Sequence, residues 1–314
     1  MGGDGESIGA DGPGKGDAFD DEDGCGSRVL SVHCSIGSGA CQVNFPTDLL
    51  LQDEVTYVVE RGNARVQRLR LGAGGPTGER PEDGKLAAAP AWATSAAGAL
   101  VHPWGITAHE DLLFVTDVGC IGRADEGLPG RVVVLDGLTL EVVGELGIGR
   151  LRLPAGVAVL SRAEGAELIV ADHGLHQLCC LDIGTAHRAA RRPISQVDGR
   201  VRIIGRRGRA PGMFHSPVGV AVGRMGAMCG AFHGACLFVS EFSGRRVQAL
   251  SILGEPLAVF EPPGRSRLMG LCCCVAPDGE IGVWVCDYDA DCLHTLNVHV
   301  GRGMQATTPV PAVR

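Results

Sequence analysis

Five carboxylates recur at one position of a repeated pattern. Glu60, Asp117, Asp172, Glu241 and Asp287 close the runs TYVVE, LFVTD, LIVAD, LFVSE and VWVCD. Gathered round an axis, such a set could hold a metal. A catalytic group is normally unique in a chain, whereas these recur once per unit. That points to each carboxylate accepting backbone N–H bonds in its own turn. Asp287, Asp289 and Asp291 form D-x-D-x-D, whose three hard oxygens suit a loop cation. A calcium loop of the EF-hand kind also needs Gly at its sixth position and Glu at its twelfth, where this chain has Cys292 and Val298. A solvated acidic turn is the stronger reading, and the three aspartates stay weak metal candidates.

Other patterns fall away on their chemistry. Gly9 to Lys15 has the spacing of a phosphate loop, but Gly16 stands where a hydroxyl would hold magnesium, and no strand precedes it. No G-x-S-x-G elbow and no H-E-x-x-H pair occurs. The 13 cysteines include no C-x-x-C knuckle of the kind zinc sites usually use. Many lie in apolar runs such as LCCCV, so buried free thiols and an intracellular, cytoplasmic setting are expected rather than disulfides. No cofactor is called for. No apolar run is long enough to span a membrane, and the start MGGDGESIGADGPGKGD lacks the basic and apolar regions of a signal peptide.

The elements that must position the acids are short strands. Each unit opens on an apolar-Pro-x-Gly-like turn: FPTD from Phe45, HPWG from His102, LPAG from Leu153, SPVG from Ser216 and a degenerate LMG from Leu268. A strand of small and branched residues follows, then the run that ends on the acid, then a third strand such as RVQRL from Arg65 or RVQAL from Arg246. Some units close with a weaker fourth strand, as in EVVGEL from Glu141 and VRII from Val201. No sustained helical period appears. One such sheet cannot bury both faces alone, and five arranged radially can. Gly, Ala, Val and Cys in the first strand suit the narrow space near an axis.

The stretches YVVERGNARVQ at 57–67 and GRAPGMFHSPVGVAV at 208–222 resemble the signature of NHL repeats, and the likeness covers about residues 45–300. The expected fold is all-β: a propeller of five blades, with six as the alternative because 85–93 could hide a degenerate strand. Departures are long insertions at 118–130 and 224–235 and a fifth unit without its Pro. That unit shows no clear fourth strand after 293–300, so the strand at 29–35 is expected to close the ring from the N-terminal side. Residues 1–27 read as a disordered acidic tail, 28–300 as the propeller and 301–314 as a flexible C-terminal tail. The first of these holds eight acids against Lys15, a net of −7 out of the total −8, so the body is near neutral.

In a propeller the second-to-third and fourth-to-first connections share one face. That face is expected to carry Arg61, Arg65, Trp104, Arg123, Arg150, Arg152, His173, His176, Arg206, Arg207, Arg209, Arg245 and Arg246, with Arg265 and Arg267 beside them. Arginine suits bidentate carboxylate or phosphate contacts. The leading reading is a non-catalytic scaffold for a protein partner, which the resemblance connects with substrate recognition in ubiquitin ligation. RNA binding on the arginine face is the alternative. A metal-dependent lyase or lactonase-like hydrolase with a site in the channel is a third, resting on fold analogy.

Overall fold

The computed structural model describes residues 35–39, 42–52, 55–70, 93–120, 128–162, 165–184, 201–224, 235–264, 266–275, 281–299, 303–306 and 310–311. The expected acidic tail, the strand at 29–35 apart from Ser35, and Arg123 and Arg265 lie outside them. Among the described residues there is no helix long and apolar enough to cross a membrane.

Five antiparallel sheets stand around an axis as the blades of a β-propeller. The first blade is Pro46–Gln52, Val55–Glu60, Arg65–Arg70 and Ala93–Thr94; the second is Pro103–His109, Leu112–Asp117, Gly130–Asp136 and Val142–Leu151. The third is Pro154–Arg162, Gly165–Asp172, Gln177–Gly184 and Val201–Ile204, and the fourth is Pro217–Arg224, Ala235–Glu241, Arg246–Ser251 and Pro256–Phe260. The fifth is Leu268–Val275, Ile281–Asp287 and Cys292–His299, with Gly303–Ala306 and Val310–Pro311 both paired to its third strand. Four first strands begin on proline, where the missing N–H is not needed by the ladder. Every first strand bulges within its first few residues.

The closure expected from the N-terminal side is corrected here. Leu293 pairs with Val310, and 296–299 pair with 303–306 in a hairpin, so the C-terminal segment supplies the outer strand of the fifth blade. The residues GMQA carry almost no β-branched or aromatic signal, and a tight hairpin forms them into a strand through local closure rather than propensity.

Period-two alternation explains the core. In the second strands successive side chains face opposite neighbouring blades, so both sets are apolar. Leu113 and Val115 pack toward the first blade, Phe114 toward the third. Four such clusters fill the spaces between blades one and two, two and three, three and four, and four and five. Glycine at the end of the first-strand turn permits the close approach in the second, third and fourth blades. A Cβ on Gly105 would lie 2.7 Å from Ala155 O, one on Gly156 would lie 2.6 Å from Val218 O, and one on Gly219 would lie 3.0 Å from Met269 O. The residue before the turn acid ties the same seams: Thr116 Oγ1 donates to Ala155 O (2.5 Å), and Ser240 Oγ donates to Met269 O.

The space between blades five and one is different. No apolar cluster joins them among the described residues, and their first strands do not pack along each other as the other neighbours do. Leu49 and Leu51 on the outward face of blade one are 65% and 58% exposed. Cys272, Cys274 and Cys286 are exposed on the facing side of blade five, and nothing lies within 4 Å of a Cβ built on Gly270. The expectation of buried thiols is therefore corrected for these three and for exposed Cys120, while Cys179, Cys180 and Cys236 are buried. Cys273 points the other way, toward blade four. All nine described cysteines are free.

Candidate binding face

Each turn acid is buried and reaches the chain segment entering its own blade. Glu60 accepts from Asn44 N (3.1 Å), Asp117 from His102 N (2.7 Å), Asp172 from Leu153 N (3.2 Å) and Glu241 from His215 N (2.6 Å). In the fifth blade the incoming amide of Arg267 goes to Asp289 instead (2.7 Å). A second bond locks all five connections: the residue after each acid donates its N–H to the carbonyl of the residue just before its blade's first strand, as in Phe242 N to Ser216 O (2.9 Å) and Tyr288 N to Arg267 O (2.9 Å). Both loop families therefore open on one face. The turn keeps its shape through a left-handed residue four positions after the acid, namely Ala64 (φ 49°), His176 (φ 57°), Arg245 (φ 58°) and Asp291 (φ 49°).

These locks sort the expected arginines. Arg65 and Arg246 turn inward. Arg65 Nε donates to Glu60 at 2.7 Å and Arg246 Nε to Glu241 at 2.6 Å. The remaining donors of Arg246 reach the carbonyls of Arg209, Ala210 and Met213, and only 6% of the residue is exposed. Gln67 and Gln248 complete the two arrangements by donating to the same carboxylates. Arg131 does the same for Asp117 (3.0 Å), a role hidden in the sequence by the insertion before it. Arg150, Arg152, Arg206, Arg207, Arg209 and Arg245 are exposed.

Because the N–H lock fixes the residue after each acid, Arg61, His173, Phe242 and Tyr288 hold equivalent places on the face, while Val118 in the second blade is buried. The guanidinium of Arg61 lies over Trp104, 5.0 Å from the ring centroid. The ring of His173 meets Phe242 edge-on at 6.2 Å, and Phe242 is 6.3 Å from Tyr288. Arg267 covers both, 5.2 Å from Phe242 and 4.6 Å from Tyr288, and its guanidinium is also paired with Asp289. His176 accepts a hydrogen bond from Ser216 N at Nδ1 (2.9 Å) and lies 5.6 Å from His215. Burial first, and then neighbouring positive charge, holds His176 below the ordinary imidazole range. Phe242, Tyr288 and His215 were missed in the sequence. The signal available for the first two was their shared place, one residue after the recurring acid.

The three aspartates of the D-x-D-x-D stretch do not converge. Asp287 points inward to His294, Asp289 pairs with Arg267, and Asp291 is exposed in the left-handed position of the turn.

No family model matches the chain, and no curated protein matches it. Solved propellers do. The β-propeller domain of Myceliophteria thermophila Cps50 (Swd1) is 10% identical at a TM-score of 0.53, covering 87% of this chain and 74% of that one. The periplasmic gluconolactonase PpgL of Pseudomonas aeruginosa is 16% identical at 0.53, covering 85% and 72%. KlAtg21, solved in complex with the coiled-coil of AgAtg16, is 9% identical at 0.51, covering 85% and 70%. The chain spans 64% of the matched chain in a nidogen/laminin complex. At these identities the likeness shows the fold alone.

Proposed function

We propose that the propeller is a non-catalytic platform that receives an acidic segment of a protein partner on the loop face. One observation carries the reading: Trp104 stands under Arg61, and His173, Phe242 and Tyr288 cluster with Arg267, on the loop face that also carries exposed Arg150, Arg152, Arg206, Arg207 and Arg245. Aromatic and arginine side chains are the residue types that dominate binding energy at interfaces, and arginine forks match carboxylates. KlAtg21 offers a precedent in which a propeller holds a coiled coil. The NHL-like repeat and a role as recognition module in ubiquitin ligation belong to this proposal.

RNA is the second reading, favoured by the exposed arginines. Its phosphate contacts would impose a steep salt dependence, with a log–log slope of about −0.7 per contact for single strands. The experiment is capture of partners by the immobilised protein, comparing wild type with a Phe242→Ala/Tyr288→Ala variant, an Arg206→Glu/Arg207→Glu/Arg245→Glu variant and a control at Leu138 on the opposite face. Loss of a protein partner with both face variants, but not with the control, supports the platform. Retention of every partner by both face variants overturns it, and salt-sensitive capture of RNA alone selects the second reading.

A further inference from the structure

The turn acids of the first and fourth blades are met in the same way. Directly across the ladder stands an arginine, Arg65 opposite Glu60 and Arg246 opposite Glu241. Two residues further on stands a glutamine, Gln67 or Gln248, whose amide donates to the same carboxylate. In the fifth blade the backbone register is unchanged, with Cys292 directly across from Asp287 and His294 two residues further on. Arginine and glutamine, which cannot ligate a metal effectively, are thus replaced by thiol and imidazole. Both are good ligands, and they keep the same aim at a buried carboxylate.

The geometry matches that chemistry. One ligand atom from each of Asp287, Cys292 and His294 lies within 4.8 Å of the others. His294 Nε2 is 2.8 Å from Asp287 Oδ2 and 4.0 Å from Cys292 Sγ. Around a tetrahedral zinc ion, nitrogen and oxygen ligands stand roughly 3.3 Å apart, and nitrogen and sulfur roughly 3.6 Å, from bond lengths of about 2.0–2.3 Å. The His294–Asp287 pair would open, and the His294–Cys292 pair close, by about half an ångström each to meet one ion. Thiol and carboxylate both face the same ring nitrogen. A nucleophile relay would instead need them on opposite nitrogens, so the arrangement is not that of a Cys–His–Asp catalytic set. Nδ1 has no hydrogen-bond partner among the described residues, and His294 is 3% exposed, its ring set edge-on against Phe260 at 5.9 Å. Among the described residues, the carboxylate alone holds the imidazole by a full-strength polar bond.

From this we infer that Asp287, Cys292 and His294 form a binding site for a divalent transition metal of the zinc class, with three protein ligands and a fourth position open beside half-exposed Cys292. Thiolate and imidazole select zinc-like ions over magnesium or calcium. The ion would take the place that arginine fills in the first and fourth blades, holding the turn that carries Tyr288 onto the third strand. The inference stands apart from the choice of partner on the loop face.

The test uses the full chain, stripped with a chelator and then titrated with zinc against a chromophoric chelator and, separately, with cobalt. One ion per chain is expected, and cobalt is expected to give a thiolate charge-transfer band in the near ultraviolet. Cys292→Ser should abolish that band, and Cys292→Ser and His294→Ala should each weaken zinc binding at least about tenfold. A Cys292→Arg/His294→Gln double variant, which rebuilds the arrangement of the first and fourth blades, should fold and bind no metal. A Cys272→Ser/Cys274→Ser/Cys286→Ser variant, lacking the exposed thiols of the same blade, should bind as wild type. No stoichiometric uptake by wild type, undiminished uptake by the double variant, or loss of uptake only with the exposed thiols would each overturn the assignment.

Discussion

The fourth and fifth blades share a backbone plan and differ in how completely it is sealed. In the fourth, Glu241 is closed in by Arg246, Gln248 and the incoming amide of His215, and apolar clusters cover both faces of the sheet. In the fifth, Asp287 faces Cys292 and His294, the incoming amide serves Asp289, and one sheet face carries exposed Cys272, Cys274 and Cys286. Neighbouring copies of one repeat have thus been put to different uses. The fourth blade closes its acid with an arginine and a glutamine, while the fifth sets a thiol and an imidazole against its acid. Repetition in sequence hides this, because the position of the acid is the same and only its partners change.

The comparison can be broken at several points. The largest effect is expected from Arg246→Ala, which leaves Glu241 buried against no cation and should cost about 3–5 kcal/mol in denaturant unfolding. Replacing Cys292 by Ala should cost far less in metal-free protein, since no ion pair is lost. Equal losses would mean that the two turns are equally sealed.

The next effect concerns Asp48, which occupies in blade one the place of Gly219 and Gly270. Its carboxylate accepts Ile106 N–H from the second blade at 2.9 Å, and burial pushes its pKa up to about 6. A carboxyl raised in the folded state contributes fully below the unfolded value near 3.8 and loses that contribution as pH rises through about 6. Asp48→Asn should therefore raise stability at pH 7 by roughly 2–3 kcal/mol and leave it unchanged below about pH 4. Unfolding curves between these limits that run parallel for the two proteins would contradict the assignment.

Smaller effects should separate two glycines. Gly219→Ala places a Cβ 2.6 Å from Ser240 Oγ and 3.0 Å from Leu271 N and Met269 O, and should destabilise by about 1–3 kcal/mol. Gly270→Ala, at the same place in the fifth blade, meets nothing within 4 Å and should change stability by less than about 1 kcal/mol. Matched thermal melts of the two variants decide whether the space between blades five and one is open.

Much of this was legible in the residues. The recurring Pro turns and run-ending acids gave the blade count, because each is tied to a local backbone need. The shared face of the two loop families followed from topology. The inward turn of Arg65 and Arg246 was not legible. Adjacent Arg245 and Arg246 look alike in sequence, yet the first takes the left-handed turn position and the second begins the strand opposite the acid. The outer strand at Gly303–Ala306 escaped notice because its residues have little strand preference, and its pairing is set by the hairpin. The Asp287–Cys292–His294 group was not legible because the loop pairs its acids as D-x-D-x-D, while the thiol and imidazole stand on the strand that follows and meet Asp287 only through the ladder register.

Among the described residues no apolar cluster joins the first and fifth blades, and this bears on how the molecule comes apart. A closed hoop of sheets has no weakest member by position, whereas an arc is a stack with two ends, and nearest-neighbour terms govern its stability. Among the described residues, the first and fifth blades each share one apolar cluster with a neighbour and the inner blades share two. Amide exchange should therefore begin in strands such as Pro46–Gln52 and Leu268–Val275 and reach Gly165–Asp172, in the middle blade, last. On that ordering the third blade is the keystone of the fold, and anything that bridges the first and fifth blades would slow exchange in both.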